Sequence, residues 1–447
     1  MIAVNIGRKL LELYNQENEE HLSPKDFFEK VYFELFYNHS KYMQWVTNSP
    51  FVQMKKGQKP DALTEVERQE KLLNLHEKIG AGLKDASIAI GFPASEEKEF
   101  ATTSGQVSAL AMFSTVDDVY CSWIGSGLGI GVAGGLSIFF KHPKILMTVF
   151  KGWQYYREYL NDATYTGLRG NQINTWNGQW LSHVFSRDYR AYDPLQNFNP
   201  FGSIAGGGLE LTTASWTSVL FGISRTLPNT DLTGYVYSLG QTNKTLGFVP
   251  FRLPQIQRPI QLYKKLFNDQ YHQDAKRIEP LYGTAFSFQR ACQMGAIGVQ
   301  ALEPKGLRGL IPTGKDAVSL PNFSKADQEK FISFRTYQTW LLAMLNNDEL
   351  WDTAGEAAQA FLQYEAGAGK ARKDRSNKVK SVLDTARKPQ FMRELAEIVE
   401  EADNKDVLVE LGKTVNRMPA DNVSYFITLI RFRYAEFSSK PVQEPVK

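Results

Sequence analysis

The sequence predicts an α+β protein. A mixed N-terminal body of helices, short strands and long loops covers 1–320. A C-terminal antiparallel helical bundle follows over 321–440, with a tail at 441–447. Three observations lead there. Apolar residues recur at helical spacing through the first eighty residues. Most of the 34 Gly and 19 Pro fall between about 88 and 320, among short β-branched and aromatic runs. After Pro321, long amphipathic stretches return with short breaks between them, the pattern of a bundle.

The elements follow in order. Ser23 is placed to cap a helix with Pro24 at its first position, and Phe27, Phe28, Val31, Tyr32, Leu35 and Phe36 repeat at helical spacing. Thr64 and Glu67 make a capping box for a second helix that ends at Gly80, with Val66, Leu72, Leu73, Leu75 and Ile79 facing inward. Between the two, 48–57 reads as a loop. In the middle region Trp216–Ile223 and Leu246–Phe251 read as strand-like runs, and Gln261–Phe267 as a helix. Beyond Pro321, Ser324 opens a helix carrying Phe331, Phe334, Tyr337, Trp340, Leu341, Met344 and Leu345. Further helical patterns cover Asp348–Tyr364, Asn377–Thr385, Gln390–Ala402, Val407–Val415 and Asp421–Phe437. Gly367, Gly369, Pro389 and Pro419 punctuate them.

Composition excludes whole classes of protein. At 447 residues, 43% hydrophobic and 22% charged, the chain has ample core material and is neither disordered, collagen-like nor a coiled coil. A formal net charge of +3 names no partner, so any nucleic-acid surface must come from local clustering. Two distant cysteines, Cys121 and Cys292, supply no disulfide framework and no paired thiolates for zinc. Residues 1–20 carry scattered charges and do not read as a signal peptide. A cytoplasmic protein is expected.

The most unusual stretch is Val119–Phe140, VYCSWIGSGLGIGVAGGLSIFF, uncharged and holding Gly125, Gly127, Gly129, Gly131, Gly134 and Gly135. Gly129-Ile-Gly131-Val-Ala-Gly134 fits the dinucleotide fingerprint, which needs a preceding strand and a following helix. The span is also long enough to cross a bilayer, with Gly127, Gly131 and Gly135 at GxxxG spacing. Thirdly, it suits a loop whose bare backbone enters a nucleic-acid groove or packs against another backbone. The Gly309–Asp316 segment nearly makes a P-loop, but Asp316 stands where magnesium binding requires Ser or Thr. No catalytic constellation assembles, and no metal site or cofactor is expected.

Two basic arrays stand out. Lys370, Arg372, Lys373, Arg375, Lys378, Lys380, Arg387 and Lys388 crowd one part of the bundle. Arg252, Arg258, Lys264, Lys265, Lys276 and Arg277 are interleaved with Phe251, Tyr263, Phe267 and Tyr271. Such arrays neutralise phosphates while aromatics stack on unpaired bases, although solvated helix faces carry similar charge runs.

Several motifs occur together in a telling order: Phe36-Tyr-Asn-His39, Pro50-Phe-Val-Gln53, Lys56-Gly57, Glu70-Lys-Leu-Leu73, the glycine stretch, then Gly167-Leu-Arg169-Gly170. This order resembles the large subunit of the type I CRISPR–Cas surveillance complex Cascade, the CasA-like family. The resemblance implies a non-catalytic, DNA-binding subunit that recognises the protospacer-adjacent motif in duplex DNA and helps unwind and hold the displaced strand. It implies guide RNA, other Cascade subunits, target duplex and a recruited helicase–nuclease as partners, and no membrane. Carried onto this chain, the glycine loop falls within Gly125–Gly135, flanked by Lys141 and Lys144. The guide-proximal loop falls on Ile90, Gly91, Phe92 and Ser95. By position, Lys244 stands for the lysine-bearing loop, Arg252 adds a phosphate contact, and Gln255 or Gln257 stands for the wedge. The alternatives are a membrane-associated protein anchored by 119–140 and a nucleotide-dependent enzyme using 129–134.

Overall fold

Local capping chemistry sets the early helices. Ser23 Oγ accepts from the Asp26 amide at 3.1 Å, and Pro24 occupies the first helical position. The Glu67 carboxylate accepts from Thr64 N at 2.8 Å, closing the second capping box. The structure is a computed structural model that describes residues 1–47, 49–83, 114–204, 208–238, 244–313, 318–366 and 371–439. The guide-proximal residues Ile90, Gly91, Phe92 and Ser95, and Lys370 of the basic array, lie outside the described residues.

The fold is α+β, and the chain divides into two units. The first comprises Met1–Thr226 and Asp231–Phe251. Its helices are α1 (Ile2–Asn18), α2 (Pro24–Phe27), α3 (Glu34–Phe36), α4 (Glu65–Gly80), α5 (Val116–Ser126), α6 (Pro143–Asn161), α7 (Ile173–Val184) and α8 (Trp216–Thr226). A π-helical turn, Phe28–Phe33, joins α2 to α3. Strands β1 (Ile130–Val132), β2 (Leu136–Phe140), β5 (Asp231–Ser238) and β6 (Lys244–Arg252) form an antiparallel sheet in the order β1-β2-β5-β6. Two short strands, β3 (Phe201–Ser203) and β4 (Leu209–Leu211), pair separately. In the main sheet Gly131 faces Ser137, and Ser137 in turn faces Tyr237.

Two expectations are corrected here. Trp216–Ile223 is the body of helix α8, not a strand. Every residue of that run except Ser218 is buried, so no periodicity distinguishes strand from helix, and Ser215 Oγ accepting from Ser218 N at 3.1 Å starts a helix. On α4, Leu72, Leu75 and Ile79 are buried as expected, but Val66 and Leu73 are exposed.

The second unit contains Leu227–Thr230 and Arg252–Lys447. Its helices are α9 (Leu253–Leu266), α10 (Asn268–Ile278), α11 (Phe288–Gln293), α12 (Gln328–Leu345), α13 (Leu350–Ala366), α14 (Arg372–Leu383), α15 (Lys388–Glu401), α16 (Lys405–Arg417) and α17 (Ala420–Ser439). Asp327 rather than Ser324 caps α12, accepting from Lys330 N at 2.8 Å. The change in sequence texture near 320 marks where long helices begin, whereas the packing unit begins at Arg252, because α9 packs directly on α12. Helix α12 also packs on α17, α13 on α17, and α14 on α15. Arg431 on α17 is fully buried and ties three segments together. Its guanidinium donates to Leu383 O at 2.8 Å, to Asp384 Oδ1 at 2.5 Å and to Ser319 O at 3.1 Å.

The first unit holds half-buried histidines in their neutral form. His39 is pushed down to about 4, chiefly by burial and then by the Arg157 guanidinium nearby. Burial also lowers His76, His142 and His183. A histidine whose folded-state value lies below its ordinary 6.5 favours the unfolded chain as protons are added. Stability is therefore expected to fall as pH drops from about 6.5 toward 4. In urea titrations at several pH values, His39→Asn should show a shallower loss across that window than the parent. An identical loss would remove His39 from the account.

Candidate nucleic-acid interface

Each glycine of the 125–135 stretch is decided by what stands where its Cβ would be. On Gly125 in α5, a Cβ would overlap Ala3 O and lie 2.7 Å from Ala3 C, because α1 and α5 cross backbone to backbone. Gly7 is the matching glycine on α1, with the Gly125 amide 2.7 Å from its own Cβ position. Gly127 is enclosed by Phe36, Trp153 and Tyr32, and Gly129 by Tyr237 and Asn174. Gly131, on β1, would place a Cβ 2.7 Å from Asn174 O on α7. Asn177, fully buried on α7, pins this run by donating to Gly127 O at 2.7 Å and Gly129 O at 2.9 Å. These four glycines are packing devices and cannot enter a groove.

Gly134 and Gly135 differ in every respect. They turn the β1–β2 hairpin with φ of 98° and 71°, they are exposed, and a Cβ on either would meet open space. Positive φ is why glycine stands at both. The tip is anchored rather than loose, since Ala133 N donates to Ala214 O at 2.9 Å.

A groove of about 340 Å³ runs beside this tip. Gln44, Trp45, Gly135, Ser137, Asn171, Gln172, Asn174, Thr175 and Thr213 line it with Gly131, Val132, Leu136 and Ile173. No lining side chain is charged. Its walls are set in place by hydrogen bonds. Tyr32 OH donates to Gln44 Oε1 at 2.7 Å, Leu211 N donates to Gln172 Oε1 at 3.2 Å, and Asn174 Nδ2 donates to Ser137 Oγ at 3.0 Å. Asn171 takes a left-handed conformation, φ 60°, as its amide donates to Tyr42 O at 2.7 Å. Arg157 is buried and donates to Leu35 O at 2.8 Å and Lys41 O at 2.9 Å, fixing the chain that leads to Trp45. Burial pushes that guanidinium down to about 9, so it stays charged at neutral pH. Trp45 itself is 45% exposed.

The expected cations separate. Lys141 and Lys144 are exposed, but they follow the far end of β2, roughly 16 Å of strand from the tip. Because Ser137 faces Tyr237, β5 ends at the tip end of the sheet, and the antiparallel β6 begins there with Lys244. Arg252 closes β6 at the other end. Gln257 is buried on α9 and is no wedge; Gln255 is exposed.

In the second unit the basic array is partly consumed by structure. Arg375 donates to Tyr364 O at 2.9 Å and lies over the Tyr364 ring, and Lys378 pairs with Glu401 at 2.5 Å. Lys388 donates to Asn416 O and Met418 O at the end of α16. Arg372, Lys373 and Lys380 remain exposed, the last two sharing a face two turns apart. In the other array Arg258 and Lys265 both pair with Asp348, and Arg277 pairs with Glu329. Phe251, Tyr263 and Tyr271 are buried core residues, so they offer no stacking surface.

The competing readings of 119–140 also meet the geometry. That segment is the end of α5 followed by a hairpin, and no helix among the described residues is long and apolar enough to cross a membrane. The 129–134 glycines lead from β1 into β2, without the strand-to-helix turn that cradles a pyrophosphate. Sequence reasoning missed Trp45, Asn171 and Asn174, whose neighbourhood exists only once the 41–45 chain lies against α7. Comparison with protein-family models, with curated proteins and with solved structures finds no match to this chain.

Proposed function

We propose that this chain is the non-catalytic large subunit of an RNA-guided antiviral complex and that it reads a short protospacer-adjacent motif in duplex DNA through the Gly134-Gly135 tip. The observation that supports this reading most is the open diglycine hairpin with Lys244 at the same end of the sheet. A side-chain-free tip fits a narrow minor groove, and a reader that delegates most specificity to guide pairing needs only such a short check. In this reading the partners are guide RNA, other Cascade subunits, target duplex and a recruited helicase–nuclease, in the cytoplasm. Arg372, Lys373 and Lys380 would hold displaced strand by phosphate contacts.

The test has two parts. Tagged chain recovered from its native host should bring down a fixed set of proteins with short RNAs sharing a repeat-derived end. Within that complex, Gly134→Asn with Gly135→Asn, side chains that tolerate the left-handed backbone there, should weaken duplex binding about tenfold or more, about 1.4 kcal/mol. Circular dichroism of the variant should match the parent. RNA-free recovery of a lone protein, or unchanged duplex affinity in the double variant, would overturn the proposal.

A further inference from the structure

The groove beside the tip has a chemistry of its own. Its wall carries one exposed indole, Trp45, and the carboxamides of Asn171 and Asn174, with no charge among the lining residues. Trp45 keeps 45% of its surface exposed although the Tyr42 ring lies 6.4 Å away, centroid to centroid, so part of its flat face stays open at this uncharged cleft. Asn171 presents donors and an acceptor beside that face. Asn174, whose amide nitrogen already donates to Ser137 Oγ at 3.0 Å and to Tyr237 OH at 3.3 Å, offers its carbonyl oxygen. That pairing suits the edge of a base. Arg169, two residues before the groove-lining Asn171, is exposed, and the first turn of α7, which no side chain caps, contributes Ile173, Asn174 and Thr175 to the lining. Those features favour a ligand carrying a phosphate next to its ring over a neutral sugar.

We infer that this groove receives a single unstacked nucleobase of a DNA strand, stacked on Trp45 and read along its edge by Asn171 and Asn174, with Arg169 at the adjoining phosphate. The inference rests on the nucleic-acid reading and extends it. Motif recognition at the tip places duplex within reach, and the groove holds one base as the helix opens. About 340 Å³ is room for one nucleobase with bridging water.

The full-length chain can be titrated with labelled single-stranded homopolymers and with an abasic backbone of equal length, read by fluorescence anisotropy. Base-bearing strands should bind about tenfold tighter than the abasic strand. Trp45→Ala should erase that difference, and Trp45→Phe should retain most of it, which separates stacking from a fold defect. Equal binding of abasic and base-bearing strands, or a base preference untouched by Trp45→Ala, would overturn the inference. So would tighter binding of a labelled neutral oligosaccharide to the same groove. If base-dependent binding persists while no short RNA co-purifies from the host, the complex assignment falls and the groove stands. If short RNAs co-purify and base dependence is absent, the groove alone falls.

Discussion

A methyl group on Gly125 or Gly131 is expected to cost the first unit about 3 kcal/mol or more, whereas the same change at Gly134 should cost about 1 kcal/mol. The first two positions face backbone. An alanine on Gly125 overlaps Ala3 O, and one on Gly131 sits 2.7 Å from Asn174 O and 2.8 Å from Asn174 C. No rotamer change relieves a clash with main-chain atoms, so α1 must part from α5, or α7 from β1, and close packing is lost along the contact. At Gly134 there is open space, and the penalty is the strain of an L-residue at φ 98°. Urea denaturation of the three alanine variants measures this directly. Equal losses at all three positions would mean that the crossings are looser than described and that the tip is no more open than the rest.

Arg431→Met is expected to destabilise the second unit by about 3–5 kcal/mol. The parent side chain is fully buried and satisfies Leu383 O, Val318 O and Ser319 O while pairing with Asp384. Removing it strands those carbonyls, together with a carboxylate whose side chain is only 20% exposed. Adding Asp384→Leu to Arg431→Met should recover part of the loss, because the unpaired charge is gone. A double variant as unstable as the sum of both single changes would show that the ion pair is not what matters. A single-variant loss below about 1 kcal/mol would show that water reaches the site.

Legibility in the sequence followed the range of the interaction. The capping boxes at Ser23 and Thr64 were readable because residues three apart make the hydrogen bonds. Helices α15 and α16 were readable because each buries one stripe, Phe391, Leu395 and Ile398 on the first and Leu408, Leu411 and Val415 on the second, and Pro389 and Pro419 mark helix starts. Trp216–Ile223 misled because a run buried on nearly all sides has no period, and only the Ser215 cap distinguishes it. In the second basic array the spacing along the chain hid that Phe251, Tyr263 and Tyr271, though interleaved with cations, turn into the core, while Phe267 stays half-buried.

By itself, the sequence determined the α+β class, the helix starts at Ser23 and Thr64, the long C-terminal helices and the unusual glycine stretch at 125–135, but not helix α1. Tertiary structure alone decided what each of those glycines does. Gly125 is set by Ala3 and Gly131 by Asn174, residues remote in sequence whose approach no local pattern encodes, while Gly134 and Gly135 stay open because nothing arrives. The same holds for the cations. Glu401 and Tyr364 claim Lys378 and Arg375 from other helices and leave Lys373 and Lys380 to solvent. A residue's chemistry is written in its own side chain, but its availability depends on whichever distant neighbour the fold sets against it.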